Sequence, residues 1–304
     1  MSSYKKIGRL GTFVMCLNLD RGVIFLLVLK YSLVISILCA CLGFTAIINA
    51  YPEEPPIKAM TFAKIQDVSL YYEIHGEGEP ILLIHGGLSH AGYWRAQIDD
   101  LARDYLVIAV DSRGHGRSSL SNKPITYNLL ANDFLLLLDK LNIQSTNILG
   151  WSDGGIIALE LAIREPQRLK KIIAYGANFH PKGVQPNVAE NSRFREFLTR
   201  ASRDYHAMSP EPDRWSEFLE NITNMWTTEP NFSDLELQSI TVPTLVLGGQ
   251  QEEAIYPEHI EELSKKIPNS KLIMMPKTGH FAMLEEPEKF NEIVRSFLKR
   301  RLKY

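Results

Sequence analysis

The stretch LGWSDGGIIALELA (Leu149–Ala162) places glycines and one serine between an apolar run and an amphipathic helical pattern. Its centre, GWSDG (Gly150–Gly154), has the form G-x-S-x-G. When this form follows a strand directly and begins a helix, the serine lies on a sharp, strained turn that exposes its hydroxyl group. A Cβ at either flanking position would clash where strand, helix and serine backbone come close together. The stretch therefore predicts a strand, a tight turn carrying a nucleophilic Ser152, and a helix.

On both sides of this stretch, short apolar runs alternate with helical patterns. The runs are nearly continuous, as expected for strands that are covered on both faces of a sheet. Alternation of this kind predicts an α/β fold with a mostly parallel, doubly wound sheet flanked by helices. The predicted strands are Val68–Ile74, Ile81–His85, Tyr105–Asp111, Thr146–Gly150, Lys171–Gly176, Pro243–Gly249 and Lys271–Pro276.

The interval between Ala177 and Ile240 contains only helical patterns. In RWSEFLENITNMW (Arg214–Trp226), aromatic and aliphatic side chains recur at the spacing of one helix face. This pattern fits core packing and also a helical cap over the sheet, and the two are compatible. Because ligands of open α/β sheets bind outside the carboxyl ends of the strands, such a cap would shape a substrate pocket.

His280 and a pair of glutamates provide what a serine nucleophile needs. A serine hydroxyl is a poor nucleophile at pH 7 without a base, and His280 follows the last predicted strand. A carboxylate must then fix the histidine tautomer and stabilise the imidazolium. Glu252 and Glu253 both follow the strand that ends at Gly249. We prefer Glu252, three residues after Gly249, and keep Glu253 as the alternative.

The segment HGG (His85–Gly87) follows another predicted strand. The amide of Gly87 can point at a developing oxyanion, and the amide of Asp153 is the expected second donor. His85 and His115 are interpreted as structural. The sequence after residue 50 contains no cysteine, which excludes a cysteine-based metal site or nucleophile there, and we expect no metal and no cofactor.

Together these motifs resemble the α/β-hydrolase superfamily in order and spacing, across nearly all of residues 60–304. The resemblance is carried by HGG (85–87), VDSRGHGRS (110–118), GWSDGG (150–155), GGQQEE (248–253) and TGHF (278–281). It implies the α/β-hydrolase fold, with the helical cap at about residues 181–239 inserted after the sixth strand.

By residue-by-residue transfer, the resemblance implies Ser152 as nucleophile, Glu252 as acid and His280 as base, with Gly87 and Asp153 as oxyanion donors. An aspartate is commoner than a glutamate at the acid position. GWSDGG and YGANFHP (175–181) further resemble the biphenyl-hydrolase-like or valacyclovirase-like branch, whose members cleave small esters.

The expected activity is serine hydrolysis of a small ester, thioester or lactone through an acyl-enzyme on Ser152. Two alternatives stay open: a hydrolase of carbon–carbon bonds in ring-fission products, and a catalytically silent binding protein on the same fold. The side chain of Asp153 also has two interpretations. Its charge is favourable in the first turn of a helix, and it is also suited to hold a cationic group of the substrate.

The composition excludes some other classes of function. A formal net charge of −2 shows no basic excess, so nucleic acid is not an expected partner. The apolar and charged fractions, 45% and 22%, are those of an ordinary folded globule. The resemblance to α/β-hydrolases implies a small-molecule, ester-type substrate as the partner.

Residues 1–50 have the pattern of a signal or signal-anchor segment. A basic flank is followed by YSLVISILCACLGFTAIINAYP (31–52), which contains no charged residue and is long enough to cross a bilayer as a helix. The positive flank favours export or anchoring with the catalytic domain outside the cytoplasm. The alternative is a cytoplasmic protein with a mispredicted start. Residues 51–59 are interpreted as a linker.

Overall fold

The structure of the protein is a computed structural model. It describes residues 57–299. These residues build one eight-stranded sheet in the order β1-β2-β4-β3-β5-β6-β7-β8. The strands are β1 (Ile57–Ile65), β2 (Val68–His75), β3 (Glu79–Ile84), β4 (Tyr105–Val110), β5 (Thr146–Trp151), β6 (Leu169–Tyr175), β7 (Thr244–Gly249) and β8 (Ser270–Met275). Strand β2 pairs antiparallel with β1 and β4, and the other five pairs are parallel, so the described sheet is mostly parallel.

Helices flank this sheet. They are α1 (Arg95–Leu101), α2 (Tyr127–Lys140), α3 (Asp153–Arg164), α4 (Ser192–Met208), α5 (Trp215–Thr228), α6 (Asp234–Gln238), α7 (Pro257–Lys266), α8 (Ala282–Glu285) and α9 (Pro287–Lys299). This architecture confirms the predicted α/β fold class.

The predicted apolar runs form the core of the sheet. All six residues of β5 and all six of β7 are buried, as are the last four of β3. Because both faces of these strands are covered, the polar–apolar alternation of a half-exposed strand is absent from their sequences.

The edge strand β1 was not predicted. It has small or isolated apolar residues on its buried side, Ala63 and Ile65, whereas Met60 and Phe62 are about half exposed. No continuous apolar run therefore marks it in the sequence. Residues 57–59, expected to belong to the linker, are part of this strand.

The chain between β6 and β7 is helical, which confirms a helical insertion after the sixth strand. Its main helices are α4, α5 and α6. In α5 the fully buried side chains are Phe218, Ile222 and Met225, while Trp215 and Trp226 are half-buried. The aromatic face of this helix therefore both packs on the core and reaches the edge of the sheet.

The parallel register brings the functional segments to one edge of the sheet. The carboxyl ends of β3, β5, β6, β7 and β8 meet there, and the predicted site residues follow four of these five strands. This arrangement is the one in which open α/β sheets bind ligands.

The signal or anchor segment predicted at residues 1–50 lies outside the described residues. None of the helices within residues 57–299 is long and apolar enough to span a bilayer.

Candidate active site

Ser152 lies on a strained turn between β5 and α3. Its backbone angles are φ 53° and ψ −118°, in a region that non-glycine residues rarely adopt and that costs about 1–3 kcal/mol. A Cβ on Gly150 would lie 2.1 Å from the carbonyl oxygen of Gly154, and one on Gly154 would lie 2.1 Å from that of Ile84. Both flanking glycines are therefore required by close backbone approach, as the motif predicted.

Glu252 and His280 form a buried pair at the carboxyl ends of β7 and β8. Oε1 of Glu252 lies 2.6 Å from Nδ1 of His280, and the two side chains are 0% and 3% exposed. The same oxygen accepts hydrogen bonds from the backbone amides of Ala254 and Ile255, at 3.0 and 3.3 Å. With Nδ1 occupied by the carboxylate, Nε2 is the ring nitrogen left to exchange a proton.

Glu253 has a different position. Its Oε2 accepts a hydrogen bond from the backbone N–H of His280 at 2.6 Å, and its Oε1 accepts one from Arg193 at 2.9 Å. The structure therefore brings Glu252 to the imidazole ring and Glu253 to the backbone of the same residue.

Ser152 and His280 are joined through the residues next to them. The backbone N–H of Ser152 donates to the carbonyl of Tyr175, and a Cβ on the following Gly176 would lie 3.0 Å from the His280 ring. Trp151 donates from Nε1 to the carbonyl of His280 at 2.9 Å. The hydrogen bonds within residues 57–299 include none between the Ser152 hydroxyl and the His280 ring. Such catalytic hydrogen bonds often tighten only when a substrate binds.

The environment of His280 sets its proton affinity. Burial by itself lowers the pKa of the imidazole, but the charge of Glu252 and its hydrogen bond raise it, as do the charges of Glu253 and Asp153. The pKa of His280 lies above its ordinary value as a result. The imidazole is thus well suited to accept a proton and hold it.

Gly87 and Asp153 lie side by side next to Ser152. A Cβ on Gly86 would lie 3.1 Å from the Cβ of Ser152, and one on Gly87 would lie 2.4 Å from Oδ2 of Asp153. Asp153 is the first residue of α3, where backbone N–H groups have no partner within the helix. The segment after β3 and the start of α3 therefore lie next to each other beside the nucleophile.

Tyr127 and Trp226 hold the side chain of Asp153, and neither is among the predicted site residues. Its Oδ1 accepts from the hydroxyl of Tyr127 at 2.9 Å, and Trp226 donates from Nε1 to both carboxylate oxygens at 2.9 Å. Burial raises the pKa of Asp153 to about 6, against the hydrogen bonds from Trp226 and Tyr127 and the charge of His280, which lower it. The helical spacing of Trp226 on α5 was a visible signal, but the cap face could not be oriented from the sequence.

His85 and His115 lie beneath the site and have backbone partners. His85 Nε2 accepts from the N–H of Ser112 at 2.9 Å, and its Nδ1 lies 2.7 Å from the carbonyl of Gly86. Nδ1 of His115 lies 2.9 Å from the carbonyl of Arg113. Burial lowers the pKa of both rings, for His115 to about 4. Neutral, buried rings with backbone partners fit the structural interpretation of both histidines.

Residues 57–299 contain no group of three or more histidine, cysteine, aspartate or glutamate side chains arranged to hold a metal ion.

Comparison with known proteins shows which family this chain belongs to. A family model described as the alpha/beta hydrolase fold matches residues 79–207 and 189–287. A putative carbamate hydrolase, RutD, of Azorhizobium caulinodans is 30% identical over 261 residues, which cover 78% of this chain and 98% of the relative. The chain belongs to the α/β-hydrolase family.

Other α/β-hydrolases show the same relationship. The serine hydrolase BPHL of Mus musculus is 26% identical over 82% of this chain and 91% of its own. Among solved structures, Est816, described as an N-acyl homoserine lactone degrading enzyme, is 27% identical with a TM-score of 0.65. That match covers 78% of this chain and 99% of Est816. The chain is thus a hydrolase by family, and its resemblance to the biphenyl-hydrolase-like branch is confirmed.

Proposed function

We propose that this α/β-hydrolase cleaves a small ester, thioester or lactone through an acyl-enzyme on Ser152. The observation that carries the proposal is the buried Glu252–His280 pair next to a serine on a strained turn. A carboxylate on Nδ1 fixes the tautomer in which Nε2 can accept the serine proton. Two similar proteins are named as a putative carbamate hydrolase and as an N-acyl homoserine lactone degrading enzyme. Both names describe reactions at an acyl carbon, which supports the proposal.

The reaction follows from these positions. His280 removes the proton of the Ser152 hydroxyl as its oxygen attacks the substrate carbonyl, and a tetrahedral intermediate forms. The amides of Gly87 and Asp153 stabilise the oxyanion, and each lowers the activation free energy by about 3 kcal/mol. His280 then protonates the leaving alcohol or thiol. In the second half of the reaction it activates a water molecule that hydrolyses the acyl-enzyme.

Aromatic side chains surround the reacting groups. The ring of Trp151 packs against those of His280, Phe197 and Phe281, with centroid distances of 5.8, 6.0 and 5.5 Å. Phe197 belongs to α4, so the insertion contributes directly to this wall. An apolar wall next to polar catalytic groups is typical of small-molecule sites and favours a substrate with an apolar acyl or alcohol group.

The decisive experiment is covalent labelling of the full-length protein with a fluorophosphonate probe. We expect one modified residue, Ser152, and no label in Ser152→Ala. We also expect Ser152→Ala to lose p-nitrophenyl acetate hydrolysis while its circular dichroism spectrum and melting temperature stay those of the wild type. A folded wild-type protein that neither labels nor hydrolyses any ester would overturn the proposal in favour of a binding protein. Turnover of ring-fission dienones without ester turnover would favour the carbon–carbon hydrolase.

We also propose that residues 1–50 export or anchor this catalytic domain. The support is the basic flank followed by the uncharged segment 31–52. Protease accessibility of the domain in intact cells, compared between the full chain and one starting at Glu54, tests this. Equal protection of both would contradict it.

A further inference from the structure

The backbone amides of the loop that carries His280 are held by two carboxylates. The N–H of Gly279 donates to Oε2 of Glu285 at 2.9 Å, and the N–H of His280 donates to Oε2 of Glu253 at 2.6 Å. Nη1 of Arg193 donates to the other oxygen of each carboxylate, at 2.9 Å to Glu253 and 3.0 Å to Glu285. One guanidinium therefore joins the two side chains that hold consecutive amides of the loop.

The carbonyl groups of this loop accept hydrogen bonds from side chains at the ends of sheet strands. Trp151 at the end of β5 donates to the carbonyl of His280, and the hydroxyl of Tyr175 at the end of β6 donates to that of Gly279. The same hydroxyl accepts from the N–H of Ala282 at 2.8 Å. Buried residues of the sheet thus hold the carbonyls, whereas the amides depend on the glutamates that Arg193 joins.

Arg193 belongs to the helical insertion rather than to the sheet. It is in the first turn of α4, where the side chain of Asn191 caps the helix by accepting from the N–H of Arg193. The carboxylates that it binds lie 60 and 92 residues further along the chain. Its contact is therefore a direct link between the first helix of the insertion and the loop of His280.

The approach of Glu253 to this loop is specific. A Cβ on Gly279 would lie 2.1 Å from Oε2 of Glu253, so the carboxylate fits only because this position is a glycine. The Glu253 side chain is 7% exposed, while that of Arg193 is 51% exposed. Arg193 thus covers a largely buried carboxylate from the solvent side.

We propose that Arg193 is a positioning residue for His280, acting through Glu253 and Glu285 to fix the loop and to couple it to α4. The inference deepens the proposed function, since it takes His280 as the general base.

The charges explain why the arginine is needed. Within residues 57–299, Arg193 is the one cation in an ion pair with either glutamate. Without it, two carboxylates of like charge would face each other across the same loop, and their repulsion would favour a rearrangement that releases one of the amides. Because the arginine is half exposed, the pair is worth no more than about 1 kcal/mol, which corresponds to about fivefold in rate.

The experiment compares Arg193→Met with Arg195→Met in the full-length protein, using p-nitrophenyl acetate. Arg195 is an exposed arginine of the same helix for which no ion pair is found among the described residues, and it is the matched control. We expect Arg193→Met to lower kcat about fivefold at unchanged KM, Arg193→Lys to recover part of the loss, and Arg195→Met to match the wild type.

The pH dependence separates positioning from general stability. Arg193→Met leaves the charge of Glu253 uncompensated, and that charge raises the pKa of His280, so the acid limb of kcat/KM should move to higher pH. Glu253→Gln removes a charge that raises the pKa of His280, so the same limb should move to lower pH. Shifts in opposite directions are not expected from a loss of packing. Equal kcat and equal pH profiles for Arg193→Met and Arg195→Met, or a change in melting temperature alone, would overturn the inference.

A measurement that needs no turnover keeps this test independent of the proposed function. The pKa of His280 can be followed by NMR in protein labelled with ¹⁵N-histidine, with His280→Gln used to assign the signal. We expect an upward shift in Arg193→Met and none in Arg195→Met, whether or not the chosen ester is hydrolysed. An unshifted signal in Arg193→Met would overturn the coupling even if Ser152 labels normally.

Discussion

Oε1 of Glu252 lies 2.6 Å from Nδ1 of His280, whereas Oε2 of the same carboxylate is buried with no hydrogen-bond partner among the described residues. A buried, partly unsatisfied anion is costly unless a positive charge compensates it. The imidazolium that forms when His280 takes the serine proton supplies that charge. The pair is therefore matched to the protonated state of His280 that the proposed reaction passes through.

We predict that Glu252→Gln lowers kcat for p-nitrophenyl acetate by about 10⁴-fold, the cost of leaving a catalytic histidine in the wrong tautomer in serine proteases. An amide keeps the size of the side chain but cannot stabilise the imidazolium. Glu253→Gln is the matched control, because its oxygen still accepts from the backbone N–H of His280. A larger loss in Glu253→Gln than in Glu252→Gln would show that the acid has been assigned to the wrong residue.

The reacting residues could be found from the sequence because each lies directly after a strand. Ser152, Glu252 and His280 follow apolar runs that are readable one at a time, and the parallel sheet brings the ends of these runs together. The fold class alone was therefore enough to predict that these three residues lie close together. The sequence favours Glu252 over Glu253 only by its distance from Gly249. The structure shows that Glu252 contacts the imidazole, whereas Glu253 accepts from the backbone N–H of His280.

The residues that surround the reacting groups could not be found in this way. Tyr127 and Trp226 reach Asp153 across 26 and 73 residues, and Arg193 reaches Glu253 across 60. The contacts of Trp226 and Arg193 depend on how the helical insertion lies over the sheet, and that of Tyr127 depends on how α2 packs beside α3. Local periodicity encodes neither arrangement. The amphipathic pattern of α5 shows that one face is buried, but not which neighbour it contacts.

Asp153→Asn should move the acid limb of kcat/KM to lower pH. The charge of Asp153 raises the pKa of His280, so removing it makes the imidazole easier to deprotonate. In the wild type, burial raises the pKa of Asp153 itself to about 6. The carboxylate is therefore ionised at pH 7 and largely protonated at pH 5. Profiles of the two proteins measured from pH 4.5 to 9 check the direction, and a limb that stays in place would contradict it.

The same variant decides between the two interpretations of the Asp153 side chain. If the carboxylate binds a cationic group of the substrate, Asp153→Asn loses more kcat/KM with a valine p-nitrophenyl ester than with p-nitrophenyl butyrate. The wild-type preference for the charged ester should also be smaller at pH 5 than at pH 7, because Asp153 is then protonated. Equal losses with both esters would leave only the favourable charge at the start of α3.

Gly87→Ala should lower kcat by about 10²-fold or more, as expected when one oxyanion donor is displaced. The added Cβ would lie 2.4 Å from Oδ2 of Asp153 and 2.5 Å from the Trp226 ring. Those two side chains are hydrogen-bonded to each other, so neither can move away freely. The exposed Gly92 of the same segment is the control, because its Cβ would meet only the side chain of His90. Similar kcat values for Gly87→Ala and Gly92→Ala would argue against the oxyanion role.

A buried ion pair between Arg113 and Asp133 supports the loop after β4. Arg113 is 0% exposed and donates from Nε and Nη2 to the two oxygens of Asp133, both at 2.8 Å. Its Nη1 donates to Asp67 at 3.1 Å and to the hydroxyl of Ser121 at 2.8 Å. Arg113→Met leaves the Asp133 carboxylate, 2% exposed, without its cation.

Removing one partner of such a pair costs about 3–5 kcal/mol of the free energy of unfolding, equivalent to a fall of roughly 10 °C in melting temperature for a domain of this size. Urea denaturation of the full-length protein measures the loss directly. Lys170→Met is the control, because that side chain and its partner Glu79 are 41% and 45% exposed, so loss of this ion pair should cost less than about 1 kcal/mol. The double variant Arg113→Met with Asp133→Leu should recover much of the stability, since the uncompensated charge is gone. If the double variant is no more stable than Arg113→Met, the cost comes from lost packing rather than from the buried carboxylate.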